Sequence, residues 1–190
     1  MTDILRQLAT GLRALLVLTV LLGVGYPLVV WGVGQVAFPA QANGSLVVRD
    51  QTVVGSSAIG QAFEGDQWFA SRPSAADYDA QASAGSNLGP SDPDLVAEIN
   101  ARRAAVARRD GVDPAVVPAD AVTASASGLD AHISPEYAAI QVARVARARN
   151  LSTSQVQSLV QQHTRGRTLG FLGEPRVNVL LLNLALDGGS

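Results

Sequence analysis

A serine, an aspartate and a histidine stand close together in the segment 123–135, and these residue types are the members of a hydrolase triad. They are Ser127, Asp130 and His132. Neighbours in a single loop rarely align as nucleophile, base and orienting carboxylate, and the chain has no G-x-S-x-G motif to present the serine. We therefore expect these side chains to cap the backbone of a structured turn.

Two other patterns are only weak indications of a binding site. His132 and His163 are separated by 31 positions and have no obvious third ligand, so the ligand rule for zinc argues against a metal site. The glycine-rich segment 84–89 has backbone N–H groups that a phosphate could use, but no lysine follows it. We expect no catalytic residue and no metal ligand from these patterns.

The absence of lysine and cysteine and the net charge exclude several further classes of site. All 14 basic side chains are arginine, and without lysine a Walker A loop, a Schiff base and a Ser-x-x-Lys dyad are impossible. The absence of cysteine removes disulfides and thiolate metal sites. A net charge of −2 and a pI near 5.6 argue against a nucleic-acid binder. We interpret Arg144, Arg147 and Arg149 as a solvated helix face.

The elements that must position these residues begin with an apolar stretch. No charge occurs between Arg13 and Arg49, and residues 14–37 would form a helix of about 36 Å, enough to cross a bilayer. A cleaved signal peptide is the alternative, although its apolar region is usually only about 7–15 residues long. Two arginines precede the span. They predict a single-pass protein of the cell (inner) membrane, with residues 1–13 in the cytoplasm and the domain after the span outside it.

One face of this span has a distinctive composition. Its members are spaced for one side of an α-helix and include small residues that let a second transmembrane helix approach closely. They are Gly23, Pro27, Trp31 and Gly34.

A linker at 38–44 leads to a domain at 45–190. Residues 46–48 and 52–54 are typical of a short hairpin, and 71–93 of a long loop. Helices are predicted from a capping box at Ser91, from Ser134 to about 150, from Ser152, and over 177–187. The predicted fold is one transmembrane helix followed by one α/β (α+β) domain.

Several blocks of the chain occur in a familiar order behind the span. They are GSSAIGQ at 55–61, WFASRPS at 68–74, SAGSNLGP at 83–90, TASASGLDAHISP at 123–135 and GFLGEPRVNVL at 170–180. In this order they resemble the KdpC family, the C subunit of the bacterial potassium-importing P-type ATPase. Ala84 and Ala131 replace the glycine and proline that the family usually has.

The resemblance implies a non-catalytic subunit of an ATP-driven potassium import complex. Its implied partners are an ATP-hydrolysing subunit, a channel-like translocating subunit and a very small membrane subunit, and the lipid bilayer is a further partner. ATP is the one ligand that it implies, through a proposed rise in the ATP affinity of the hydrolysing subunit. The predicted topology places the soluble domain on the side of the membrane opposite ATP.

Polar members of these blocks are the candidate docking residues for the partners. They are Arg72, Ser86, Asn87, Asp130, His132, Arg176 and Asn178. The alternatives are a membrane-anchored hydrolase that uses Ser127, Asp130 and His132, and an anchored structural envelope domain.

Overall fold

The computed structural model describes residues 2–188 and divides into two compact units, residues 1–46 and 47–190. The helices are α1 (Thr2–Val20), α2 (Tyr26–Ala37), α3 (Pro39–Ala42), α4 (Pro93–Asp110), α5 (Pro135–Ala148), α6 (Thr153–His163) and α7 (Val179–Gly188). The strands are β1 (Leu46–Arg49), β2 (Thr52–Ser56), β3 (His132–Ile133), β4 (Thr164–Arg165) and β5 (Arg176–Asn178). A single apolar helix followed by a mixed domain of helices and short sheets confirms the predicted fold class.

The first unit is one long helix with a local irregularity. A π-helical turn, Leu21–Gly25, joins α1 to α2, and the Tyr26 N–H donates to the Leu21 carbonyl. Pro27 explains the turn, because its ring clashes with the carbonyl four residues earlier and has no N–H to donate. The helix over Asp3–Ala37 is long and apolar enough to cross a membrane, and its most apolar stretch is not buried by the rest of the chain.

The π turn affects the predicted packing face. Gly23 lies inside the turn, whereas Pro27, Trp31 and Gly34 lie in regular α-helix. The wider turn interrupts the 3.6-residue period between Gly23 and Pro27. The α-helical spacing that places these residues on one face therefore holds only from Pro27 onward.

Helix boundaries in the second unit follow local capping. α5 begins after Ser134, whose hydroxyl accepts from the Tyr137 N–H, and α6 begins with a complete capping box between Ser152 and Gln155. These two starts are as predicted. The start of α4 is not, because the capping side chain belongs to Asp92 rather than Ser91, and proline follows it at the first helical position.

The β1–β2 hairpin is confirmed, and a second sheet has the order β3–β5–β4 with both pairs antiparallel. Its central strand β5 corrects the prediction of a helix from residue 177. Val177 pairs with Ile133 on one side and Thr164 on the other, so strand pairing on both edges delays the helix to Val179.

The core of this unit lies where α5, α6 and α7 cover the small sheet. Its fully buried side chains include Phe69, Ile133, Tyr137, Val156, Val177 and Leu182. Phe69 comes from a segment without helix or strand, so its position depends on side-chain hydrogen bonds.

Those hydrogen bonds replace a sheet partner for residues 66–72. The Asn183 amide accepts from the Phe69 N–H at 2.8 Å and donates to the Phe69 carbonyl at 3.0 Å. Gln141 does the same for Ala70, at 2.7 and 3.3 Å. Side chains of α5 and α7 thus satisfy backbone groups that would otherwise be buried without partners.

The long loop that follows is held to the domain by its own polar groups. The Tyr78 hydroxyl donates to the Arg72 carbonyl, and the Tyr78 N–H donates to the Ser74 hydroxyl. Ser74 in turn donates to the Gly128 carbonyl at 2.6 Å. These bonds order the loop.

Candidate functional site

The candidate site is an open cleft of about 560 Å³ in the second unit. It brings Arg72 and Arg176 together with Asp130 and His132, although these three parts of the chain are distant from one another in sequence. Arg72 comes from the segment after Phe69, Asp130 and His132 from the entry to β3, and Arg176 from β5. Four of the predicted docking residues therefore share one surface.

Asp130 is at the centre of this cluster. One carboxylate oxygen lies 3.1 Å from Arg72 Nη1, and the other accepts from the His132 backbone N–H at 3.0 Å. The His132 ring nitrogen Nδ1 is 3.5 Å from the same second oxygen. Hydrogen bonding to His132, followed by the Arg72 charge, holds the pKa of the Asp130 carboxyl below its usual value despite partial burial.

The other side of the imidazole is fixed by β5. Asn178 Nδ2 donates to the Ser57 carbonyl at 2.7 Å and lies 3.4 Å from His132 Nε2, while its oxygen accepts from the Leu181 N–H. An amide nitrogen only donates, so Nε2 is the acceptor and Nδ1 bears the proton that faces Asp130. Asn178 is buried and orients His132 from inside the domain.

Arg72 connects its own segment to residues 123–130. Its Nη2 donates to the Thr123 carbonyl at 3.4 Å, in addition to the ion pair with Asp130. The Nε–H of Arg72 is a buried donor without a partner in the described part of the chain.

Acidic groups form much of the remaining wall. Asp120 accepts from both the N–H and the hydroxyl of Ser134, and Glu174 pairs with Arg167 at 2.6 Å. Arg176 lines the cleft and forms no ion pair within residues 2–188. Charges of both signs in an open cleft suit recognition of a polar surface.

The hydrolase triad is not assembled. Ser127 is exposed and its hydroxyl accepts from the Leu129 N–H at 3.1 Å, with Ser125 as its other neighbour. No hydrogen bond joins Ser127 to His132 in the described part of the chain. The predicted turn-capping role of Ser127 is confirmed, and the structure does not support the hydrolase alternative.

Ser86 and Asn87 lie apart from the cleft in the loop before α4, and both are exposed. Asn87 has a left-handed backbone, with φ of 55°. Nearby, the Ala84 N–H donates to the Ser127 carbonyl, so one amide of the supposed phosphate cradle is already used.

Glycines allow these loops to approach closely. A Cβ on Gly60 would lie 2.4 Å from the Asp130 carbonyl oxygen, and one on Gly128 would lie 2.7 Å from the Ala84 oxygen. The Gly60 N–H also donates to the Leu129 carbonyl at 2.8 Å. The blocks at 55–61, 83–90 and 123–135 therefore pack as one unit behind Asp130.

Sequence reasoning missed a buried ionic network between α4, α5 and the segment 66–72. Arg144 is only 5% exposed, and its Nε lies 2.6 Å from Asp110, whose side chain is fully buried. Arg109 binds the other Asp110 oxygen at 2.7 Å, and Arg144 also donates to the carbonyls of Asp66 and Trp68. The expectation that Arg144 belongs to a solvated face is wrong, because its guanidinium satisfies buried acceptors 34 or more residues away in sequence.

Arg149 also departs from that expectation, whereas Arg147 is exposed. The Arg149 guanidinium lies 4.3 Å from the Trp68 ring centroid and pairs with Asp187 at 2.9 Å. It also donates to the Gln67 carbonyl. Arg144 in α5 and Arg149 directly after it thus both hold the segment 66–72 in place.

The lowered pKa of Asp130 predicts a pH-dependent stability. Its carboxylate contributes to folding above the ordinary pKa, and this contribution is lost as pH falls through the lower folded-state value. We expect Asp130→Asn to cost about 1–3 kcal/mol at neutral pH, since hydrogen bonds to charged groups have this magnitude. The difference from the unmutated chain should shrink below about pH 4.

Urea unfolding of the full chain in detergent, followed by near-ultraviolet circular dichroism, measures this difference. Asp77→Asn is the matched control, because its exposed carboxylate has no hydrogen bond within residues 2–188. A pH-independent effect of Asp130→Asn would show that the carboxylate charge does not stabilise the site.

The chain thus combines a single apolar helix, long enough to cross a membrane, with a mixed domain that carries an ion-paired cleft. The sequence profile of KdpC, described as the c chain of K⁺-transporting ATPase, matches residues 8–188. The chain belongs to the KdpC family.

Curated relatives agree with this assignment over nearly the whole chain. A relative from Kineococcus radiotolerans is 58% identical over 188 residues, covering 98% of this chain and 95% of its own. One from Sorangium cellulosum is 56% identical over 187 residues, with coverages of 97% and 98%. Mycobacterium tuberculosis has one that is 54% identical over 186 residues, with coverages of 96% and 98%. Each is named the KdpC subunit of a potassium-transporting ATPase.

Proposed function

We propose that this chain is a non-catalytic accessory subunit that assembles and stabilises an ATP-driven potassium import complex. The observation that carries this proposal is the family match over residues 8–188, together with relatives named as potassium-transporting ATPase subunits. Its partners are the ATP-hydrolysing P-type subunit, the channel-like translocating subunit and the small membrane subunit of that complex.

The proposed topology has a cytoplasmic stretch at 1–13, a transmembrane helix at 14–37, a linker at 38–44 and an extracytoplasmic domain at 45–190. Arg6 and Arg13 before the span support this orientation, because cytoplasmic flanks are enriched in arginine and lysine. The span would pack through Gly23, Pro27, Trp31 and Gly34 against the translocating subunit. Pro27, Trp31 and Gly34 share uninterrupted α-helix, which favours them as the central contacts.

The extracytoplasmic domain would sit over the potassium entrance of the translocating subunit. Arg72, Asp130, His132 and Arg176 line one open cleft, so they form a single docking surface in this proposal. Ser86 and Asn87 would contribute a separate exposed loop, and Asn178 would act by holding His132.

The proposed effect on ATP affinity is indirect. With the domain outside the cell, the chain would raise the affinity of the hydrolysing subunit by stabilising the assembled complex. The span is the part of the chain that connects both sides of the membrane, which makes it the route for this effect.

Exchanging residues 14–37 for an unrelated apolar span of equal length tests the assembly role. The full chain is recovered from membranes, and the other subunits are identified; we expect the exchange to lower their recovery at least tenfold. Arg6 and Arg13 stay in place to preserve orientation. Val29→Leu with Val36→Leu is the control, because both residues lie in regular α2 on the side opposite Pro27, Trp31 and Gly34.

Unchanged recovery after the exchange would refute the role of the span, and absence of the other subunits from the unmutated pull-down would refute membership of the complex. The KM for ATP of the same membranes gives a second readout. We expect it to rise when the span is exchanged, and an unchanged KM would refute the effect on ATP affinity.

A further inference from the structure

The connection between β4 and β5 projects from the sheet as an ordered extension. We call residues 166–175 the apolar finger. Thr168 and Leu172 exchange backbone hydrogen bonds of 2.9 Å across it, and Arg167 pairs with Glu174 at its base at 2.6 Å. The turn at its tip uses left-handed backbone at Leu169 and Gly170. Its shape is therefore fixed by internal bonds.

The tip of the finger exposes large apolar side chains. Leu169 is 79% exposed, Phe171 69% and Leu172 49%. Scattered exposed apolar residues are ordinary, but three within four positions of one turn form a contiguous patch. A turn that is rigid and apolar at its tip has the properties of an anchor for an interface.

An apolar groove adjoins the base of the finger. It lies between α5 and α6, has a volume of about 810 Å³, and shares Gly166 and Pro175 with the finger. Small side chains such as Ala139 and Ala143 line it, together with the amides of Gln157 and Gln161. The groove and the finger are therefore adjacent at Gly166 and Pro175.

Three of the four charged residues within 165–176 are arginine. Arg165, Arg167 and Arg176 flank it, with Glu174 as the acidic residue of the same stretch, already paired to Arg167. Arg165 and Arg176 form no ion pair within residues 2–188. A complementary surface would be apolar at its centre and acidic at its rim.

We propose that the apolar finger inserts into an apolar depression with an acidic rim on another protein subunit of the same complex. This inference rests on the proposed function, and it names a docking element whose apolar tip lies outside the Asp130 cleft, although Glu174 and Pro175 at its base line that cleft. Protein is favoured over lipid because the groove contains glutamine amides, which need hydrogen-bond partners when covered. Hydrocarbon chains have none, whereas a protein segment seated in the groove offers backbone groups.

The first test replaces the tip with Leu169→Ser, Phe171→Ser and Leu172→Ser in the full chain. We expect recovery of the other subunits to fall roughly tenfold or more, because central apolar anchors dominate interface affinity. The matched control is Val53→Ser, Val96→Ser and Val116→Ser, which changes exposed apolar residues elsewhere on the domain. Circular dichroism of both variants should match the unmutated chain, since these side chains are not part of the core.

Recovery by the finger variant equal to that of the control would overturn this inference while leaving the proposed function intact. If the unmutated chain itself recovers no other subunit, the proposed function fails first. The two failures are therefore distinguishable in one set of pull-downs.

The second test separates protein from lipid. The chain has no cysteine, so Phe171→Cys gives a single site for an environment-sensitive fluorophore. In lipid nanodiscs we expect a blue-shifted emission when the other subunits are present and a solvent-like emission when this chain is alone. A blue shift with lipid alone would assign the finger to the bilayer, and no shift in the complex would leave the tip in solvent; either result would overturn the inference.

Discussion

Asp110→Ala is expected to destabilise the second unit by about 3–5 kcal/mol, the cost of removing one partner from a buried ion pair. The Asp110 side chain is fully buried and accepts from Arg144 at 2.6 Å and from Arg109 at 2.7 Å. Arg144 is 5% exposed, so its charge would lose its buried partner without access to water. Much of the cost therefore comes from the desolvated arginine that remains.

A double substitution separates the cost of leaving Arg144 unpaired from the net contribution of the ion pair to the free energy of unfolding. In Asp110→Leu with Arg144→Met both charges disappear, and we expect part of the lost stability to return. Recovery is incomplete because Arg144 also donates to the carbonyls of Asp66 and Trp68. Glu98→Ala is the matched control, since its pair with Arg102 lies at the surface and should contribute less than about 1 kcal/mol.

Urea unfolding of the full chain in detergent measures these free energies, with the near-ultraviolet circular dichroism of the domain as the signal. A loss for Asp110→Ala no larger than that for Glu98→Ala would contradict the argument. It would mean that Arg144 finds another acceptor or reaches water without unfolding.

Asn183→Leu is expected to cost about 2–5 kcal/mol although the new side chain has a similar size and is apolar. The Asn183 amide is 1% exposed and bonds both the N–H and the carbonyl of Phe69. Leucine leaves two buried backbone groups unsatisfied, at about 1–3 kcal/mol each. Hydrophobic burial of the leucine offsets only part of this loss.

Asn100→Leu is the matched control, because Asn100 lies exposed on α4 and should change stability by less than about 0.5 kcal/mol. Thermal unfolding of the full chain compares the two variants. A melting temperature for Asn183→Leu equal to that of Asn100→Leu would show that water or another group replaces the lost amide.

The starts of α5 and α6 were predictable because their determinants are local. Ser134 and Ser152 cap the helices that their sequences indicate, and the glycine after α4 has the left-handed backbone expected of a helix end. The boundary at residues 177–178 was not predictable, because a short apolar run fits a strand or a helix equally well. Its strand pairing is set by β3 and β4, which are distant in sequence.

The candidate site was predictable only in part for the same reason. Asp130 and His132 are separated by one residue, and their polar contact follows from their own turn. Arg72 reaches Asp130 from 58 positions away, and nothing in the local sequence indicates that partner. The burial of Arg144 is equally non-local, since arginine is ordinarily a surface residue and only the fold supplies its acceptors.

The coil at residues 66–72 has a dynamic consequence. Because Phe69 and Ala70 are bonded by the amides of Asn183 and Gln141, their N–H groups meet solvent deuterium only when α7 or α5 moves away. This irregular segment therefore belongs to the most slowly exchanging cooperative unit of the domain, together with the helices that hold it.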